Sequence, residues 1–157
     1  MDSEVKIFLN RAENELRLAK ALFNLSKEDS IKVNLEANKD DTFYSAVISH
    51  AYYAILYSAK ALLLTKGIKT DIPDVHKKTF EEFKKNFVDT GILDLELLKI
   101  YNKMIVRADE LLGLFRVEKK KRGDFTYKTI AQANIEPAKD SIANAKKFVT
   151  NIRAVIK

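Results

Sequence analysis

The sequence predicts an all-α fold, an antiparallel up-and-down bundle of four to five helices forming one domain over residues 1–157. Three observations predict it. Four glycines and two prolines leave little turn material for a many-stranded sheet and favour a few long elements. Three separate segments repeat apolar residues at alternating intervals of four and three, which draws one apolar stripe along a helix. A further segment, Phe43 to Leu64, is apolar on nearly every side and is followed by Gly67, a helix-stop residue.

The first helix starts at Asp2 or Ser3, either of which can cap it, and carries the stripe Val5, Leu9, Ala12, Leu16, Ala19 and Phe23. Between Lys27 and Asp41 the rhythm breaks. Ile31, Val33 and Leu35 alternate with polar residues, so the reading is a loop or a short extended piece. The second helix runs from about Thr42 to Lys66, capped by Asp41 or Thr42. A helix apolar all round is central in its bundle or is covered a second time by a partner subunit, which predicts a homodimer. Its ring hydroxyls, at Tyr44, Tyr52, Tyr53 and Tyr57, need partners where buried, and Tyr52, Tyr53 and Tyr57 are the candidate interface residues.

The stretch 68–75, with Pro73, is a connection. A third helix over 75–89 presents Phe80, Phe83 and Phe87 before Gly91. The fourth runs from about Asp94 towards Lys121 with the stripe Leu97, Tyr101, Met104, Ala108, Leu111 and Phe115; Gly113 weakens its end. After an irregular stretch over 122–133, the fifth begins near Asn134 with Pro137 in its first turn. Its stripe is Ala138, Ile142, Ala145, Val149, Ile152 and Ile156. Matched stripes of this kind suit shallow-angle antiparallel packing.

Composition excludes several chemistries. Without cysteine there are no disulfides, thiolate zinc sites or cysteine nucleophiles. A content of 46% hydrophobic and 32% charged residues is that of a folded domain rather than a disordered one. The acidic start Met1-Asp2-Ser3-Glu4 has no apolar run, so no secretory signal is expected. Ser45, Ser49, His50, Ser58 and Lys60 would be costly in hydrocarbon, so no membrane span is expected either, and a cytoplasmic location follows. The net charge of +6 either draws polyanions or simply serves solubility.

No Gly-x-Ser-x-Gly elbow, Gly-rich phosphate loop or metal-ligand spacing is present, so no metal and no cofactor are expected. His50 and His76 lie on different elements, and each reads first as a satisfied structural imidazole. The cluster Lys119-Lys120-Lys121-Arg122, followed by Gly123, Asp124, Phe125 and Tyr127, has two readings. Cations at a helix end complement its negative C-terminal dipole. Cations beside rings also suit phosphates and stacked bases, which makes Lys119, Lys120, Lys121, Arg122 and Tyr127 candidate nucleotide or RNA contacts.

The run Ser49-His50-Ala51-Tyr52-Tyr53-Ala54 through Ala61-Leu62-Leu63 resembles the double-tyrosine helix of prokaryotic HEPN domains (higher eukaryotes and prokaryotes nucleotide-binding). Val75-His76 resembles the start of that family's next helix, and Phe80, Phe83, Phe87 and Gly91 resemble its phenylalanine run. Gly123-Asp124-Phe125 resembles its "aDY" segment, and Ala138 to Ile152 its closing helix. The likeness extends from about Asp41 onward. It implies a helical bundle that dimerises and that occurs beside a small nucleotidyltransferase as a toxin–antitoxin module. Active members are metal-independent RNases bearing an Arg followed four to six residues later by His. From Arg122 that window holds Thr126, Tyr127 and Lys128, so the obvious general acid/base is missing there. The expected function is a noncatalytic HEPN-like subunit that dimerises and binds a nucleotidyltransferase partner, nucleotide or RNA. The alternatives are an RNase with a degenerate site, drawing on Arg122, Asp124 or His76, and a purely structural adaptor.

Overall fold

A computed structural model of the chain describes residues 1–112 and 135–156. Among these residues there are six helices and no strand: α1 (Ser3–Lys27), α2 (Asp29–Asn34), α3 (Tyr44–Leu64), α4 (Val75–Phe83), α5 (Leu95–Leu112) and α6 (Ile135–Val155). The all-helical bundle is the one the stripes predict.

Asp2 caps α1 by accepting the Glu4 N–H at 2.8 Å. Val5, Leu9, Ala12 and Ala19 are buried along its stripe, with Leu16 and Phe23 packed against the core at its edge. α1 and α3 run antiparallel. Arg11 meets Tyr57, Glu15 meets His50 and Phe23 meets Tyr44, so numbers rise on one helix as they fall on the other. α5 and α6 are antiparallel by the same test, since Glu96 pairs with Lys147 and Arg107 with Asp140.

α3 is the central element and packs against α1, α4, α5 and α6. By length and composition it could cross a membrane, but most of its surface is covered by the other helices. It ends as Gly67 predicts: the Ile68 N–H reaches the Leu63 carbonyl at 3.1 Å and the Gly67 N–H reaches Leu64 at 2.9 Å, with Gly67 left-handed at φ 70. Beside α3 lies an aromatic knot. Tyr101 of α5 meets Phe83 of α4 at 5.4 Å and Phe148 of α6 at 5.5 Å, mostly edge to face. Burying each such ring contributes roughly 1.5–3 kcal/mol of transfer free energy. The Tyr101 hydroxyl has no hydrogen-bond partner among the described residues.

Two expectations are corrected. The segment read as a loop or extended piece contains α2. Val33 and Leu35 are 75% and 63% exposed, so their alternation marks no buried strand face. What holds the segment is Lys32, which is buried and donates to the Lys39 carbonyl at 2.8 Å. The start of α3 is also different. Asp41 accepts the Asn38 N–H, and the helix begins after Phe43, whose N–H donates to Ser26 Oγ at 2.7 Å. The third helix keeps its predicted span but is regular only to Phe83, after which a wide π-type turn covers Lys84–Val88. The fourth is seen as far as Leu112, and its predicted extension lies outside the described residues.

Candidate functional site

Three tyrosines leave α3 in two directions. Tyr53 and Tyr57, one turn apart, lie half-buried on the side facing α1, where their rings stack at 6.1 Å. Tyr52, a third of a turn round, points into the protein and is fully buried. It therefore has no surface to offer a second subunit, whereas Tyr53 and Tyr57 do.

His76 is delivered to Tyr52 by the connection between α3 and α4. Lys60 of α3 donates to the Thr70 carbonyl at 3.0 Å. The Thr79 hydroxyl donates to the Val75 carbonyl, so the buried Thr70 hydroxyl is left to donate to Thr79 at 2.7 Å. Asp74, left-handed at φ 58, turns the chain into α4. His76, the second residue of α4, then stands with Nδ1 2.7 Å from the Tyr52 hydroxyl and its ring edge-on to Tyr53.

The electrostatics fix the direction of that bond. Burial pushes the Tyr52 phenol far above its ordinary range, reinforced by Tyr53 and by the charge of Asp109 on α5. It therefore stays protonated and donates. Burial pulls the His76 imidazole below 6.5, and Lys60 adds to the effect while Asp109 opposes it. A neutral ring accepts at Nδ1. The result is a half-buried imidazole held in one tautomer, beside an exposed-edged tyrosine pair.

The α1 side adds charge. The Arg11 guanidinium sits 4.5 Å over the Tyr57 ring and donates to the Tyr57 hydroxyl at 3.3 Å. Lys60 lies 5.2 Å over Phe8, whose ring is 6.1 Å from Tyr57. Burial lowers the Lys60 ammonium's pKa, with Arg11 contributing and Asp71 and Glu4 opposing. His50 is tied to Glu15 at 2.5 Å, as expected of a satisfied structural imidazole.

The structure thus brings together Tyr52, Tyr53, Tyr57 and His76 from the sequence-predicted set. Lys119, Lys120, Lys121, Arg122, Asp124 and Tyr127 lie outside the described residues. Sequence reasoning missed Arg11, Lys60 and Asp109 as neighbours of the rings. The signal for Arg11 was present in α1, where Ile7, Arg11, Asn14 and Leu18 form a second four-three-four series turned from the core. Nothing local marks Asp109.

Residues 27–155 match the family model of the HEPN domain. Among curated relatives, a protein of Thermotoga maritima named "UPF0332 protein" is 33% identical over 118 residues, covering 75% of this chain and 76% of its own length. A Methanocaldococcus jannaschii protein named "Putative toxin MJ0605" is 28% identical over 154 residues, 98% of this chain and 90% of that protein. A second from the same organism, named "Putative toxin MJ0142", is 31% identical over 100 residues, 64% and 55% of the two lengths. No solved structure matches the chain.

Proposed function

The chain belongs to the HEPN domain family, and on that premise we propose that it is a toxin-like helical subunit that binds nucleotide or RNA without cleaving it, pairs with a second copy, and works beside a nucleotidyltransferase partner. The names of its M. jannaschii relatives support the toxin-like part. The observation that carries the noncatalytic part is the engagement of both imidazoles. The chain has two histidines. His50 is bound to Glu15, and His76 has its Nδ1 filled by the Tyr52 hydroxyl. Neither follows Arg122, so the Arg–His pair that serves acid/base cleavage in active members has no counterpart in sequence.

The test is incubation of the purified chain with labelled single-stranded RNA in EDTA, read by anisotropy and by denaturing gel. The expected result is intact RNA bound with an affinity that falls as salt rises. Replacing Lys119, Lys120, Lys121 and Arg122 together by Ala should weaken binding and flatten the salt slope. Absence of binding at low ionic strength would remove the RNA reading and leave the adaptor. Co-expression with a nucleotidyltransferase from the same genome and sedimentation of the purified chain test the two protein partners.

A second reading is favoured by one feature. His76 is half-buried, neutral near pH 7 and close enough to Asp109 to feel its charge, which is how a general base is poised. RNA cleavage in EDTA that His76→Ala abolishes would establish that reading against the first.

A further inference from the structure

α1 turns a polar face away from the core. Ile7, Asn10, Arg11, Asn14 and Arg17 are all exposed and, with Glu15, line a shallow open depression along the helix. Glu15 is already engaged by His50. Neither arginine forms an ion pair with a carboxylate among the described residues. Towards α3 the depression's Arg11 meets aromatic rings: its guanidinium carbon lies 4.5 Å from the Tyr57 centroid, and Tyr57 in turn stacks on Tyr53. A guanidinium resting on a ring has one face covered and one face available for another planar group.

We propose that this face is a seat for single-stranded RNA. A base stacks on the outer face of the Arg11 guanidinium, extending the Tyr53–Tyr57 ladder by one layer. Arg17 meets the neighbouring phosphate, and the Asn10 and Asn14 amides reach base edges, each offering both donors and an acceptor. The proposal rests on the RNA-binding reading above and adds to it a site on α1, separate in sequence from Lys119–Arg122. A second copy of the chain is the rival occupant. Charge argues against it, because pairing this face with itself sets arginine against arginine, whereas the centres of subunit interfaces are depleted in charge. A polyanion with planar bases answers both the charge and the rings.

The experiment measures anisotropy of a labelled single-stranded ribo-oligonucleotide, with its duplex as control, across a salt series. Wild type should prefer the single strand. Arg11→Lys keeps the charge and the fold but loses the plane; Tyr57→Leu keeps the apolar bulk but loses the ring. Each should weaken single-strand binding roughly 5- to 150-fold, the range of one lost stacking contact, with the salt slope unchanged. Arg17→Ala should instead lower the slope by about one. If Arg11→Lys and Tyr57→Leu bind as wild type while the Lys119–Arg122 alanine variant loses binding, the α1 seat is wrong and the RNA reading stands. If wild type binds no RNA, both fall. If the α1 variants alter the sedimentation coefficient and leave RNA affinity unchanged, the face belongs to a second copy and the proposal is overturned.

Discussion

Replacing Tyr101 by Phe removes one oxygen from the most enclosed part of the core and should stabilise the protein. The Tyr101 side chain is fully buried, with Phe80 edge-on at 5.1 Å and Phe83 and Phe148 at 5.4 and 5.5 Å. Its hydroxyl has no partner among the described residues. Stripping a hydroxyl of water without replacing the bond costs about 1–3 kcal/mol. Phe keeps the ring and its edge contacts, and the void left by one oxygen, on the order of 10 Å³, returns only a few tenths of a kcal/mol. The net gain is about 1–2 kcal/mol, which for a chain of this size raises Tm by roughly 2–8 °C. Calorimetry at neutral pH, with urea titrations to check that the m-value is constant, measures it. The companion Tyr52→Phe should move the other way by about 0.5–1.5 kcal/mol, because it removes the donor to His76. A Tyr101→Phe protein no more stable than wild type would refute the reasoning, since it would mean that the oxygen is satisfied.

Ser26→Ala should destabilise by about 1–3 kcal/mol in urea unfolding, because the Phe43 N–H loses its acceptor while half-buried. Gly67→Ala should cost about 1–2 kcal/mol by the same measurement; no atom lies near the added Cβ, so the whole cost is the left-handed backbone at φ 70. His76 gives a pH signature. Its folded pKa lies below 6.5, so the unfolded chain takes the proton first as acid is added. Its contribution is complete above about pH 6.5 and is lost as pH falls from there towards the folded value. Unfolding free energies from about pH 7.5 down to 5 should therefore drop more steeply in wild type than in His76→Asn, and equal slopes would count against the depressed pKa.

The seams of the bundle were legible because helical period is a local property. Ala108 and Val149, read from spacing alone, are buried at 0% and 4% exposure, and Leu16 packs at the core's edge. What escaped the sequence is pairing across distance. The residue that satisfies the start of α3 is Ser26, 17 positions earlier and on another helix, and no local capping pattern around Asp41 or Thr42 points to it. α2 escaped for a different reason. It ends as α3 does, with Ala37 N–H on Lys32 and Glu36 N–H on Val33, but the left-handed position is held by Glu36 rather than Gly. A stop signal written without glycine leaves no mark in composition. At the candidate site, the tyrosines stood out by their spacing, and Val75-His76 by its likeness to known relatives. That Tyr52 donates to a ring 24 residues away, under the charge of Asp109 from α5, depends on three helices meeting and on no motif.

The wide turn at Lys84–Val88 has a consequence for how this chain can diverge. The Asp89 N–H reaches back five residues to Lys84, so this stretch holds one residue more than a regular coil of the same length. Phe83 on one side and Phe87 on the other both point inward, while Lys84 and Lys85 between them face solvent. The surplus residue therefore sits where losing it would tighten the coil without expelling either ring. A lineage could shorten here by a single codon and keep its interior, a freedom that the tightly interlocked α3 does not have.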